Sequence, residues 1–100
     1  MSDGMSNGQI EYAIDTIDRF LESNYPEVKA EAVMGEHWLQ EYKHLKHMVI
    51  GMREQYATEY YSIADREKLM RWLGFAQGAL WALEDFTVDE LREMNTKELD

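Results

Sequence analysis

The pattern Glu41-Tyr-Lys-His44 comes nearest to a chemical site in this chain. A Glu-x-x-His pair projects two ligands from one helix, as in di-iron bundles, but a complete centre there needs two such pairs and two further carboxylates. This chain has one pair, so a full site would require a symmetric dimer. His37 stands seven residues before His44 on the side of Glu41, a spacing that would suit a lone zinc or nickel contact. Against that stands a simpler role for His44, as a boundary histidine hydrogen-bonded to a carboxylate or to water. The simpler role is preferred, so Glu41 and His44 are held only as minor metal-ligand candidates and no cofactor is expected. His47, close to Lys43 and Lys46, reads as a solvated side chain pointing away.

Nucleophilic chemistry has less support. The chain contains no cysteine, and Ser6, Ser62 and Thr87 stand where helix caps are wanted. The other serines have no base at a recognisable spacing. Gly74 to Gly78 lacks the lysine-serine ending of a phosphate loop and falls within a helix rather than before one. Tyr56, Tyr60 and Tyr61 could stack on bases, but Glu54 and Glu59 beside them replace the cations that nucleic-acid binding needs. They read as core or interface tyrosines. An enzyme is not expected.

One charge pattern rises above background. Glu11, Asp15, Asp18 and Glu22 advance by four, three and four, forming one acidic stripe along a helix, and Asp85, Asp89 and Glu93 form a second row. Like charges at such spacing cost a helix a few tenths of a kcal/mol per pair. The helix dipole offsets this for Asp89 and Glu90 but not for Asp18 and Glu22. The stripe is either an ordinary solvated face or a surface shaped for a basic cleft. Net charge is −10, and it sits at the ends: residues 1–27 carry six acids against Arg19, and residues 84–100 carry seven against Arg92 and Lys97. Such a chain is repelled by nucleic acid and anionic membranes and drawn to basic surfaces.

The elements that hold these residues are all helical. One hundred residues with 45% apolar content make one domain, residues 1–100, with a modest core. No basic, apolar leader opens the sequence, and no apolar run reaches the roughly 20 residues that a membrane span needs. A cytoplasmic protein is expected. Residues 1–5 read as a loose tail. Ser6 and Gln9 have capping-box spacing, and Ile10, Ala13, Ile14, Ile17 and Leu21 form a stripe, predicting a helix over 7–24 that ends before Pro26. Val28, Ala32, Trp38, Tyr42, Leu45, Val49, Met52 and Tyr56 predict a long second helix over 27–60, with a break near Gly35. Ser62 and Asp65 open a third over 63–84, with Ile63, Leu69, Trp72, Leu73, Ala76, Leu80 and Leu83 as its apolar stripe. Thr87 with Glu90, and Phe86 with Leu91, supply a capping box and a hydrophobic staple. They predict a sharp turn at 85–87 and a short helix over 88–95. The fold class is therefore all-α, a compact antiparallel bundle of three main helices and a short C-terminal one.

Gly74, Gly78 and Ala82 are four apart and share one face of the third helix. A strip without bulky side chains allows another backbone to approach closely, and the packing gained can outweigh the roughly 1 kcal/mol of propensity lost at each glycine. The approaching partner is a neighbouring helix of the same chain in the plainest reading, and a second copy or a ligand in the others.

The run Arg71-Trp-Leu-Gly-Phe-Ala-Gln-Gly78, followed by Phe86-Thr-Val-Asp-Glu-Leu91, resembles stretches of the small acidic accessory proteins encoded by bacteriophages. The resemblance implies a protein that binds and blocks host machinery such as restriction, CRISPR or transcription complexes, and it assigns a role to no residue. Taken with the charge, the leading expectation is a non-enzymatic inhibitor whose partner is a protein with a basic surface. Glu11, Asp15, Asp18 and Glu22 would carry the contact, aided by Asp85, Asp89 and Glu93. No direct nucleic-acid or membrane partner is expected. The alternative is a dimerisation or assembly module acting through the Gly74, Gly78 and Ala82 face.

Overall fold

The computed structural model describes residues 5–33, 42–56 and 63–98. Among them the chain forms four α-helices and no strand: α1 (Asn7–Asn24), α2 (Tyr42–Tyr56), α3 (Ile63–Ala82) and α4 (Val88–Thr96). The all-α bundle is as the periodicity predicts.

Local capping explains where α1 and α4 begin. Ser6 Oγ accepts from the Gln9 N–H at 3.1 Å while Gln9 Oε1 accepts from the Ser6 N–H at 2.9 Å. Thr87 and Glu90 repeat this at 3.1 and 2.8 Å. Each box satisfies two amides that a helix start otherwise leaves without partners. The C-terminus of α3 closes differently. Glu84 adopts φ 65°, with Glu84 N–H donating to the Trp81 carbonyl and Asp85 N–H to the Leu80 carbonyl. That is a Schellman arrangement with a glutamate where glycine is favoured. Consequently α3 stops at Ala82, and the turn begins earlier than the predicted 85–87.

Cross-contacts set the directions. Tyr56, at the end of α2, donates to the Asn7 carbonyl at the start of α1, while Lys46 near the start of α2 reaches the Tyr25 carbonyl after α1. Those two helices are antiparallel. Tyr42 at the start of α2 meets Asp85 beyond the end of α3, making that pair antiparallel too. Gln9 Nε2 donates to the Lys97 carbonyl, which lays α4 back along α1. Ile10, Ile14, Ile17 and Leu21 of α1 meet Leu45, Val49 and Met52 of α2 and Leu69, Leu73 and Leu80 of α3 in one buried cluster, with Met94 of α4 at its edge. The Cα radius of gyration is 13.3 Å, as a compact chain of this length gives.

Several expectations are corrected. The second helix does not extend over 27–33: residues 28–33 are non-helical, so Val28 and Ala32 are no part of a heptad seam. The Lys46 ammonium draws the Tyr25 and Val28 carbonyls towards it, and Glu31 N–H donates to the Lys43 carbonyl, so this segment folds back along the start of α2. The break near Gly35 and the caps at Ser62 lie outside the described residues. Met5 is not part of a loose tail. It is buried, and its carbonyl accepts from Arg66. Ile63 is 78% exposed and does not belong to the inner stripe of α3.

Candidate functional site

The acidic stripe of α1 is engaged within the molecule. Asp15 and Asp18 lie 2.7 and 2.8 Å from Arg53 Nη2, and Glu22 lies 3.4 Å from Lys46 Nζ. These bases stand seven apart on α2, and antiparallel packing brings them level with acids that span a similar length of α1. The hydrogen bond to Asp18 is foremost among the contacts that hold the Arg53 guanidinium above its ordinary range, partly opposed by burial. Lys46 is buried, and its ammonium also donates to the carbonyls of Tyr25 and Val28 at 2.6 and 2.7 Å. Every acid and base of α1 and α2 that lines the adjoining cleft of about 390 Å³ is thus already matched. Glu11 stands exposed at the head of the stripe.

The second acidic row divides in the same way. Asp85 accepts the Tyr42 hydroxyl at 2.7 Å, and the Tyr42 ring stacks on Tyr25 at 3.9 Å. Burial first, then hydrogen bonding, drives the Tyr42 hydroxyl well above its usual titration range. Asp85 therefore ties the turn after α3 to the start of α2. Asp89 and Glu93 are exposed on α4, Asp89 facing Arg92 at 3.5 Å.

His44 holds a structural place. Its Nδ1 accepts the Val33 N–H at 2.9 Å, so the neutral ring carries its proton on Nε2. Burial, and then the neighbouring His47, lower its tendency to protonate. The His47 ring, half-buried one turn further along α2, lies 5.7 Å from that of His44. Glu41 and His37 lie outside the described residues, and among the described residues no group of three side chains is placed to hold a metal ion. Tyr56 packs against the core, while Tyr60 and Tyr61 are not described.

The glycines hold the largest departure from expectation. A Cβ placed at Gly74 or Gly78 would meet no heavy atom within 4 Å, so neither glycine admits a neighbouring helix of its own chain among the described residues. Close approach occurs instead at Gly51, where a Cβ would stand 2.8 Å from Cζ3 of Trp72. No sequence signal marked Gly51, because it sits singly in α2 with no small residue at helical spacing beside it. Gly74, Gly78 and Ala82 face outward, together with Phe75 (56% exposed) and Trp81 (55% exposed). The inner face of α3 is filled by Leu69, Leu73, Ala76, Ala79 and Leu80. The C-terminal half of α3 is thus apolar on its outer face as well as its inner one.

Gln77 marks one boundary of this outer face. It exchanges amide hydrogen bonds of 2.6 and 3.0 Å with Asn95, which fixes α4 against the flank of α3. Towards the N-terminus the exposed surface becomes charged, with Glu67, Lys68 and Arg71. Among the described residues no helix is long and apolar enough to cross a membrane. Comparison with protein-family models, curated proteins and solved structures finds no match to this chain.

Proposed function

We propose that the protein is a non-enzymatic interaction module that receives a partner's helix on the outer face of α3. The observation that carries this reading is the exposure of Phe75 and Trp81 beside the open backbone of Gly74 and Gly78. The two rings flank one strip of small residues on the same exposed face, and large exposed apolar patches mark interaction sites. Half of each ring left to water is on the order of 200 Å² of apolar area, worth roughly 5 kcal/mol if fully covered, before the cost of association is subtracted. The glycines then have a purpose: they lower the surface between the two rings so that a backbone can seat there.

Capture of partners by tagged protein, compared across variants, tests the reading. Gly74→Glu and Gly78→Glu should abolish association while leaving helicity intact, since a Cβ at either position meets open space. Capture unchanged in both variants would overturn the proposal.

A second reading keeps the charge in view. Glu11, Asp89 and Glu93 are exposed on a chain of net charge −10, which favours an inhibitor that occupies the basic surface of a nucleic-acid-handling or defence complex. Under that reading, reversing these three acids to lysine abolishes capture and the glycine variants do not.

A further inference from the structure

The outer face of α3 is palindromic about Gly78. Glycine and alanine lie four residues to either side, at Gly74 and Ala82, and aromatics lie three residues to either side, at Phe75 and Trp81. At about 100° per residue all five fall within ~60° of Gly78 around the helix. An antiparallel copy crossing at Gly78 sets Gly74 of each chain level with Ala82 of the other, with Phe75 and Trp81 on the two flanks of the crossing. Every isologous contact is reciprocal in this way, and here the reciprocity sets small residue against small residue along the crossing.

The charges fit the same antiparallel arrangement. Arg71 lies seven residues before Gly78, only ~20° away around the helix, and is exposed. Level with it in an antiparallel copy is the turn just beyond the end of α3, where Glu84 is exposed and Asp85 is held by Tyr42. An antiparallel copy therefore sets each arginine over the other's acidic turn. A parallel copy would set Arg71 against Arg71 and Glu84 against Glu84.

From this we infer that the helix received on α3 is α3 of a second copy, crossing antiparallel at Gly78. The inference rests on the function proposed above and names its partner. Gly78 at the crossing lets the two backbones approach, and Phe75 and Trp81 of each copy pack on either side of it. Arg71 and Glu84 select the orientation.

Sedimentation of the purified full chain over a wide concentration range should show a reversible dimer. The chain contains no cysteine, so one introduced residue reports the geometry. Gly78→Cys should form an intermolecular disulfide on mild oxidation, because the crossing brings the position against its own copy within bridging distance. Ile63→Cys should not, since the antiparallel arrangement carries the two Ile63 positions to opposite ends. Arg71→Glu and Glu84→Arg should each dissociate when alone and dimerise when mixed, because the mixed pair restores both charge contacts. A monomer at every concentration overturns the inference, as does Ile63→Cys cross-linking or a mixture that stays monomeric. A monomeric chain whose capture of another protein is lost on Gly78→Glu overturns the self-pairing alone. A monomeric chain whose capture ignores that substitution overturns the proposed function as well.

Discussion

His44 shows how a residue chosen for its chemistry can be occupied by structure. The imidazole accepts the Val33 amide through Nδ1, and protonation there removes the acceptor. Its folded pKa lies below the ordinary 6.5, through burial and then His47, so the unfolded chain binds the proton more readily. Stability from this group is complete above pH 6.5 and is lost as pH falls through the window beneath it. Urea melts should therefore show a falling midpoint between pH 7 and about pH 5, above the range where ordinary carboxylates titrate. The slope should disappear in His44→Gln; an equal slope in that variant would place the effect elsewhere. Arg53 and Lys46 teach a related lesson. Asp15, Asp18 and Glu22 are acids whose partners arrive from a different helix, and the part-exposed pairs with Arg53 contribute at most about 1 kcal/mol each. What they do is absorb most of a charge row that the sequence displays as free.

At the scale of the element, α3 is the informative helix. It carries a buried face of Leu69, Leu73 and Leu80 and an outward apolar half containing Phe75 and Trp81. A helix serving one core needs a single apolar face. Glycine behaviour separates the two sides. Gly51 admits the Trp72 ring, so Gly51→Leu should overpack the α2–α3 contact and cost about 2 kcal/mol. Gly74→Ala and Gly78→Ala meet open space, so each should stabilise the isolated chain by up to about 1 kcal/mol through helix propensity. Denaturant melts at low protein concentration check both directions. If the outward alanines destabilise there as well, those glycines are in contact within the monomer.

For the whole molecule, net charge −10 opposes any self-association at long range, because two copies bring like fields together. Added salt shortens the reach of that repulsion to about 10 Å at 0.1 M. Assembly through an apolar crossing should therefore hold or tighten as salt rises from about 0.05 to 0.5 M. Attraction of the acidic surface to a basic partner should weaken over the same range. A salt series read by sedimentation and by capture distinguishes the two modes of binding. Arg53 matters at this scale as well, since it covers two carboxylates that would otherwise extend the acidic field of α1.

Local chemistry in the sequence was enough to determine the all-α class, the span of α1 and the paired caps Ser6–Gln9 and Thr87–Glu90. Those signals act within one helical turn, where a side chain and the amides it caps are neighbours along the chain. The inner stripe of α1, from Ile10 to Leu21, was legible for the same reason: its period is set by the helix itself. Tertiary structure alone decided that residues 28–33 leave the helix, because Lys46 and Lys43 draw their backbone groups from across α2. It alone chose Gly51 over Gly74 and Gly78 for the close contact, and it turned Phe75 and Trp81 outward. A helix with apolar residues on both sides does not say which side will be covered. That depends on which neighbour reaches it, and the neighbours of α3 are positioned by contacts far apart in the chain.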